Sequence, residues 1–448
     1  RPLLAELRTP LIVVVILALV VGVYFVSRQS YLPILTPHPG LPSPTIEIAS
    51  DLPTSGLDTT GGLPLQNGVQ LAIIEANNEH LLPGGYTLQP VPYNDVGTGN
   101  RHDPQVGAKN LKQAIADNLV AGVIGPGTSS VSLKELPIAN QAPLALLSPS
   151  ATFPCLTKSA ADDPNCTETN DIVTQMRPTS QLTFFRLATT DDRQGKAAAD
   201  YFSQTKHHSK VLLLKDDSDP YSFGLAQAFQ TEWQQKGPVI PVDFPQSASS
   251  MQDYQNTLQA AASFQPDLIY FAGDDPNASY VLQALSNIAT LKTVPFAGGD
   301  GIMDSSLLQT ATNLHREAPI YASLPIEDPA HSGTPTGADF ATNYTTNGYD
   351  HYRPYAASAY DCTMMLIQAI KTALQKGVST PHGTQDHAGA VQFRQAVLQA
   401  LRHLSYTGAT GTHSFDANGD TTNHTISFYQ ADLSTAQPSW TWLQQVNA

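Results

Sequence analysis

The stretch VIGPGTSSVSLKELPIANQAPLALLSPSAT, residues 123–152, decides the fold. It contains the end of one apolar run, VAGVIGP (120–126), and the whole of a second, ALLSPS (145–150). Each run predicts a short buried strand that ends in a turn rich in glycine or serine. The residues between them are long enough for a helix. A strand, a helix and a second strand in this order predict neighbouring strands of a parallel sheet.

The same alternation extends outward along the chain in both directions. Further strands are predicted at TIEIAS (45–50), YTLQPVPYND (86–95), KVLLLKD (210–216), LIYFAGD (268–274) and PFAGGD (295–300). The predicted helices are Leu65–Asn77, Val106–Asn118, Phe223–Gln235, Asp253–Ala262 and Ser279–Thr290. These units are too many for one sheet, and 448 residues exceed one ordinary core. The fold class is therefore predicted to be α/β, with two Rossmann-like lobes built on parallel sheets.

The charge balance excludes one large class of partner. Lys and Arg number 23 against 38 Asp and Glu, so the formal net charge is -15. Such a surface repels phosphate backbones, and no basic stretch interleaved with aromatic residues offsets it locally. Nucleic-acid binding is not expected.

The N-terminal region is predicted to attach the chain to a membrane. Residues 11–26, LIVVVILALVVGVYFV, form an uncharged apolar run between two arginines. With its neighbours the run approaches the ~20 residues that span a bilayer, and no Ala-x-Ala pattern follows it, although a cleaved signal peptide has a similar core. We therefore predict an uncleaved transmembrane anchor at 11–27. The flank at 1–10 would be cytoplasmic, and the proline-rich residues 28–44 a semi-rigid spacer.

The three cysteines fit an exported protein. Cys155 and Cys166 bracket a polar loop, which suggests a disulfide that limits the freedom of the unfolded loop by roughly 2–3 kcal/mol. Cys362 lies in the apolar run YDCTMMLIQAI and is predicted to be a buried thiol. A three-cysteine metal site would need CxxC spacing, which is missing.

Hydroxyl and acidic residues lie at the predicted strand ends, where open parallel sheets bind ligands. GPGTSS (125–130) offers hydroxyls and amide groups at a helix start, which suits an anion, although a Ser-capped turn has the same sequence. SPSAT (148–152) repeats the pattern one strand later. Asp300, in a GGDG turn, can pair with an ammonium group, although an Asp between glycines is ordinarily a turn residue. Together these turns predict a pocket for a zwitterion.

These residues resemble a known family, the branched-chain amino-acid-binding proteins of ABC importers, which have the type I periplasmic-binding fold. The resemblance covers about Thr45 to the C-terminus. It is carried most clearly by residues 123–152 and by YTGATGTHSFDANGDTTNHTISFYQ (406–430), and it continues in TSGLDTTGGLPLQNGVQLAIIEANN (54–78) and KVLLLKDDSDPYSFGLAQAF (210–229).

The resemblance implies a set of ligand-binding residues. By position, contacts with the ligand's carboxylate and backbone would come from Ser129, Ser150, Ala151 and Thr152. Tyr221 would be an aromatic contact from the second lobe, and Asp300 would receive the ligand's amine.

The resemblance also implies two lobes joined by a hinge. We expect lobe 1 to comprise 45–187 and 323–408, and lobe 2 to comprise 188–322 and 409–448. The chain would cross between them near Arg186–Thr189, Tyr321–Pro325 and Thr407–Gly411.

The sequence departs from the family where aromatic side chains commonly stand. Gly61 occupies the first loop, and Asp274 and Asp275 follow the LIYFAG strand. We therefore add Asp274 to the predicted ligand-binding residues. A pocket with fewer aromatic walls and more acids is expected to prefer a larger, polar or cationic ligand to plain Leu, Ile or Val. The alternative without a binding role is that both Asp side chains point to solvent.

No motif indicates catalysis, a cofactor or a metal. The chain has no GxSxG elbow and no HExxH sequence. FDANGD (415–420) imitates a calcium loop that begins at Asp416, but Gly419 is then at the fourth position and not at the required sixth. Asn418-Gly419 is better interpreted as a hairpin turn. No enzymatic activity and no cofactor are predicted.

The favoured function is an extracytoplasmic solute-binding protein that captures an amino acid or related small zwitterion by hinge closure for ABC-type import. The alternative is the ligand-sensing ectodomain of a membrane receptor, whose cytoplasmic signalling domain would lie upstream of Arg1. The expected partners are a small-molecule ligand, the membrane, and an ABC permease or such a fused domain.

Overall fold

The computed structural model describes residues 44–166, 172–244, 248, 250–349 and 354–448. Residues 45–448 form one compact unit. The predicted flank, anchor and almost all of the spacer, at 1–43, lie outside the described residues. Within the described part of the chain, no helix combines the length and the apolar character needed to span a membrane.

A sheet of five parallel strands forms the centre of what we call the first lobe. Its order is β2-β1-β3-β4-β5. The strands are β1 (Thr45–Asp51), β2 (Thr87–Tyr93), β3 (Val120–Ile124), β4 (Ala145–Ser148) and β5 (Phe184–Arg186). All residues of β3 and β4 are buried, as expected for parallel strands with helices on both faces.

A sheet of seven strands forms the centre of the second lobe, in the order β14-β13-β10-β9-β8-β6-β7. Its strands are β6 (Val211–Lys215), β7 (Val239–Asp243), β8 (Leu268–Phe271), β9 (Phe296–Gly298), β10 (Ile320–Leu324), β13 (Thr425–Asp432) and β14 (Ser439–Asn447). A separate hairpin consists of β11 (Tyr406–Gly408) and β12 (Gly411–His413). The pairs β10–β13 and β13–β14 are antiparallel. For β13 and β14 this follows from the short turn that joins them. The sequence had indicated parallel sheets alone.

Helices separate the strands. They are α1 (Thr59–Asn78), α2 (Pro104–Ala116), α3 (Ser129–Gln141), α4 (Ile172–Met176), α5 (Asp191–Asp200), α6 (Pro220–Trp233), α7 (Met251–Ala261), α8 (Asn277–Ser286), α9 (Ser305–Asn313), α10 (Pro335–Thr346), α11 (Pro354–Gln375) and α12 (His387–Leu401). Each predicted helix is found, although α1 begins six residues before the predicted Leu65.

Long-range packing builds the first lobe from two parts of the sequence. Helix α11 packs on α1 so closely that a Cβ atom at Gly68 would lie 2.1 Å from the carbonyl oxygen of Ala356. Only glycine permits this approach. The core of this lobe combines residues near the N-terminus with apolar residues of α11 and α12. The α/β class with two parallel-sheet lobes is therefore confirmed, while the lobe boundaries drawn from the sequence remain predictions.

Candidate functional site

The carboxyl ends of both sheets face a cleft of about 1060 Å³, including the open space at its mouth. Loops after β1, β3 and β4 line it from the first lobe, and loops after β6, β8 and β9 line it from the second. Parallel strands end at a common edge, which is why these loops converge. Most of the predicted ligand-binding residues line this cleft, namely Ser129, Ser150, Tyr221, Asp274 and Asp300.

Ala151 and Thr152 lie behind the cleft wall. They are 0% and 1% exposed. The chain turns inward after Ser150, because the Ala151 amide donates to Ser148 Oγ at 2.9 Å and its carbonyl accepts a hydrogen bond from Arg186. The structure therefore puts these two residues beside the lining and outside it.

The N-terminus of α3 supplies the hydroxyl-rich part of the cleft. The Oγ atoms of Thr128 and Ser130 are buried and have no hydrogen-bond partner among the described residues. Ser129 Oγ accepts a hydrogen bond from the Phe153 amide at 3.2 Å, so its own hydroxyl hydrogen stays available. These hydroxyls lie at a helix N-terminus, which favours an anion such as a carboxylate.

The Ser150 hydroxyl does not have the free hydrogen that its predicted role as a donor to the ligand requires. Its hydroxyl already donates to the Gly127 carbonyl oxygen at 2.7 Å. Its hydrogen is therefore used within the protein, and the bond ties the SPSAT turn to the GPGTSS turn. Sequence reasoning found both turns and not which hydroxyls within them remain available.

Asp300 lies on the second-lobe side of the cleft and accepts hydrogen bonds from both lobes. Its Oδ1 accepts from Gln194 at 3.0 Å and Tyr221 at 3.1 Å, and its Oδ2 accepts from Tyr355 at 2.7 Å. Burial raises the pKa of Asp300, while these three donors oppose the rise. Donors of this kind hold a carboxylate in one orientation, ready to receive a cation.

The glycines on either side of Asp300 permit this arrangement. A Cβ atom at Gly299 would lie 2.6 Å from the Tyr221 hydroxyl, and one at Gly301 would lie 2.6 Å from the Gly273 carbonyl oxygen. The Gly301 amide also donates to the Tyr221 hydroxyl at 3.0 Å. The GGDG sequence is therefore needed for close packing around the carboxylate.

Two further acids stand where the sequence departs from the family. Asp274 forms an ion pair of 3.6 Å with Arg101. Asp275 accepts hydrogen bonds from Ser279 at 2.5 Å and from Ser306. Burial, followed by the nearby Asp304, raises the pKa of Asp275 to about 6. Both acids line the cleft, and the Asp274 side chain is also 35% exposed to solvent, so their part in ligand binding stays a prediction.

A histidine–aspartate pair also belongs to the charged lining of the cleft. His102 Nδ1 lies 2.9 Å from Asp58 Oδ2. Burial alone would lower the pKa of His102, but the Asp58 carboxylate overcomes it and the pKa rises to about 9. The ring is therefore cationic at neutral pH.

Sequence reasoning missed several lining residues. Tyr355 begins the family-like segment YAASAY but had no assigned role, and Asp58 and His102 carried no motif. Asp219 caps α6, with its Oδ2 accepting from the Ser222 amide at 2.8 Å. The only available signal for Asp219 was an Asp before Pro at a helix start. Within the described residues, no group of three His, Cys, Asp or Glu side chains is arranged to hold a metal ion.

This chain is similar in sequence and in fold to known binding proteins. A family model described as periplasmic binding protein matches residues 45–437. The chain belongs to the periplasmic binding protein family. This is a family of binding proteins, so the chain is a binding protein and not an enzyme.

Relatives of this periplasmic binding protein extend over most of its length. The Leu/Ile/Val-binding protein BraC3 of Rhizobium johnstonii is 22% identical over 386 residues, which cover 86% of this chain and 91% of the relative. The crystal structure of the leucine-binding protein LivK of Thermotoga maritima has a TM-score of 0.69 and 22% identity, and the match covers 90% of this chain and 99% of that one.

A second similar structure is a solute-binding protein of an ABC transporter from R. palustris, in complex with 4-hydroxybenzoate. Its TM-score is 0.70 at 14% identity, and the match covers 90% of this chain and 97% of that one. At these identities the structural matches establish the fold alone. The ligand has to be argued from the residues of the cleft.

Proposed function

We propose that this protein is the solute-binding component of an ABC importer and captures an amino acid or a related zwitterion between its two lobes. The observation that carries the proposal is the division of the cleft into two chemically opposite parts. Thr128, Ser129 and Ser130 offer hydroxyl groups at a helix N-terminus, and Asp300 lies on the other lobe with three donors around it. The first part suits a carboxylate and the second an ammonium group.

Closure of the lobes around the ligand follows from this division. Neither lobe alone offers both halves of the zwitterion site, so the ligand binds most tightly when the lobes meet. The name of the similar R. palustris protein supports import over the sensing alternative, since it is a solute-binding protein of an ABC transporter, and BraC3 and LivK are named as amino-acid-binding proteins.

We further propose that the ligand's side chain is cationic or hydroxyl-bearing and not a plain branched aliphatic one. Asp58 and Asp274 are paired with His102 and Arg101. Asp219 and Asp275 also line the cleft, and among the described residues neither has a cationic partner within ion-pair distance. A leucine side chain cannot compensate the hydration that such carboxylates lose, whereas an ammonium or guanidinium group can.

A thermal-shift screen of residues 45–448 tests the proposal, because this part of the chain is a compact unit of its own. At a hundredfold excess over Kd, a ligand specific for the folded state raises the melting temperature by roughly 3–5 °C. We expect lysine, arginine or ornithine to do so, or serine and threonine. Stabilisation by leucine, isoleucine and valine alone would contradict the side-chain assignment, and no response to any amino acid would contradict the function.

A matched pair of variants sharpens the screen. Asp219→Asn removes a cleft charge but keeps a good helix cap, and Asp339→Asn removes the charge of an exposed residue on α10. We expect the first variant to weaken lysine binding about tenfold and serine binding much less, while the second leaves both unchanged. Equal effects on lysine and serine would show that Asp219 does not select the side chain.

We propose that the body is extracytoplasmic and that residues 11–27 anchor it to the membrane. The disulfide between Cys155 and Cys166 supports an oxidising compartment, and the uncharged run within residues 11–27 supports the anchor. In cells that express the full chain, we expect it in the membrane fraction and open to protease added to spheroplasts. Release of a shortened chain into the soluble periplasmic fraction would indicate a cleaved signal peptide instead.

A further inference from the structure

The loop between β2 and α2 is fixed to the first lobe on both sides. The Leu57 amide donates to the Asn100 carbonyl oxygen at 2.8 Å, and the Asp103 amide donates to the Asp95 carbonyl oxygen at 2.8 Å. The His102 amide donates to Asp58 Oδ2 at 2.6 Å. The first lobe therefore holds this loop in place without help from the second.

Arg101 extends from this loop to the second lobe. Its Nη2 donates to Asn277 Oδ1 at 2.9 Å, and its Nη1 lies 3.6 Å from Asp274 Oδ1. Asn277 begins α8 and is 8% exposed, so its amide has a fixed position. The Arg101 side chain is 18% exposed and that of Asp274 is 35% exposed, so solvent partly screens the ion pair and the hydrogen bond to the buried Asn277 is the better-shielded contact.

The pair reaches the cleft through one of its two partners. Asp274 lines the cleft, and its carboxylate is the group that Arg101 reaches. The two partners belong to loops of different sheets, so the contact exists only while the lobes are together. Opening of the lobes therefore requires this contact to break.

We propose that Arg101 latches the two lobes, in addition to the Tyr355–Asp300 contact, and thereby slows the release of bound ligand. The inference rests on the proposed function for the identity of the ligand, and the latch itself is a property of the closed lobes. Its guanidinium group forms its bonds only after closure, so it governs dissociation far more than association.

Closed-state lifetimes measured by single-molecule fluorescence test the latch with and without ligand. Dyes on cysteines at the exposed positions Lys112 and Asn256, one on each lobe, report opening. We expect Arg101→Met to shorten the closed-state lifetime about tenfold, which is the effect of losing one charge-assisted contact. Arg101→Lys, which keeps the charge and loses the fork of donors, should shorten it less.

Stopped-flow kinetics with lysine give the second readout. We expect Arg101→Met to raise koff about tenfold and to change kon less than twofold. Asn277→Ala should raise koff in the same direction, and the double variant should be little worse than Arg101→Met because both act on one contact. Lys236→Met, which removes two ion pairs within the second lobe, is the control and should change neither rate.

The outcomes separate the latch from the proposed function. Unchanged closed-state lifetimes in Arg101→Met, or additive effects of the Arg101 and Asn277 substitutions, would overturn the latch even if lysine binds. If no amino acid binds at all, the proposed function fails, and the lifetimes of the unliganded closed state still decide the latch.

Discussion

At the scale of single residues, the site depends on which side chains donate hydrogen bonds to Asp300. Asp300 combines donors from three elements, with Gln194 on α5, Tyr221 on α6 and Tyr355 on α11. The sequence placed Asp300 at a strand end and predicted an ammonium partner. It could not show that Tyr355 would reach Asp300, because that contact joins the two lobes.

Replacement of Asp300 by Asn tests its charge with little change in shape. The variant keeps an oxygen to accept from the surrounding hydroxyls but loses the carboxylate that pairs with an ammonium group. We expect amino-acid affinity to fall about tenfold to a hundredfold, which is the contribution of a hydrogen bond to a charged group. Isothermal titration calorimetry measures this. Affinity within a factor of two of the wild type would remove Asp300 from the ammonium site.

Arg186 holds the SPSAT turn from behind. Its guanidinium is fully buried and contacts Asp420 Oδ1 at 2.7 Å, the Phe153 carbonyl oxygen at 2.7 Å, and Thr157. Asp420 belongs to FDANGD, which the sequence analysis interpreted as a hairpin turn. The turn is present, with the Asp416 amide donating to the Asp420 carbonyl oxygen. The buried ion pair that the turn supplies was not foreseen.

We expect Arg186→Met to lower the free energy of unfolding by about 3–5 kcal/mol, since it leaves the Asp420 carboxylate buried without its partner. Urea denaturation followed by circular dichroism measures this. Arg402→Met is the matched control, because Arg402 is exposed and donates to a single carbonyl group. A loss below 1 kcal/mol in Arg186→Met would mean that the pair does not organise the turn.

At the scale of elements, local sequence patterns predicted what local physics determines. Buried runs such as VAGVI predicted strands, and amphipathic runs predicted helices. The spacing of apolar residues along the sequence shows which faces of an element are buried. The antiparallel end of the second sheet was missed, since the direction of pairing depends on which strands meet. The loop that carries Arg101 and His102 was also missed, because its contacts depend on the position of the other lobe.

The predicted disulfide is present between Cys155 and Cys166, and Cys362 is buried and free. The bridge closes a loop with a sequence separation of 11. Loss of this closure should lower stability by about 3 kcal/mol, because the unfolded chain gains freedom.

The Cys155→Ser, Cys166→Ser double variant measures that loss. We expect its urea midpoint to fall and that of the wild type to fall equally when dithiothreitol is added. Cys362→Ser serves as the control, since it should not respond to the reductant differently from the wild type. A midpoint unaffected by reductant in the wild type would mean that the bridge adds no stability.

At the scale of the whole molecule, the first lobe buries an acidic cluster beneath the cleft. Asp51, Asp95 and Glu135 are at most 1% exposed. Asp51 Oδ1 accepts from Asn110 at 2.9 Å, and Asp51 and Glu135 share a hydrogen bond between their carboxyl groups. Both carboxylate oxygens of Asp95 have no hydrogen-bond partner in another described residue. Burial of carboxylates without cations favours their protonated forms.

The pKa values of the cluster show the consequence. Burial, followed by the charge of Asp51, raises the pKa of Asp95 to about 8. Burial also raises the pKa of Asp51 to about 6, and that of Glu135 well above its usual range. In the unfolded chain these groups titrate near pH 4. The folded protein therefore holds protons that the unfolded chain has already released.

The last prediction is that stability falls as pH rises from about 5 to 9. A carboxyl group whose pKa is raised by folding stabilises the fold below its unfolded pKa, and the contribution is lost as pH rises towards its folded pKa. His102 acts in the same direction, because its pKa of about 9 means that the folded state keeps this proton as well. Each proton that the folded state holds in excess of the unfolded state lowers the free energy of unfolding by about 1.4 kcal/mol per pH unit.

Urea denaturation at pH 5, 6, 7, 8 and 9 measures the slope, and Asp95→Asn assigns it. Asparagine cannot ionise, so the variant should lose up to one proton's share of the slope between pH 5 and 7, where folded Asp95 keeps its proton. It should approach the wild-type slope at pH 9, above the Asp95 pKa of about 8. Asp339→Asn, at an exposed position on α10, should leave the slope unchanged. If stability instead rises with pH across this range, the cluster is ionised in the folded protein, and a cation must then compensate its charge.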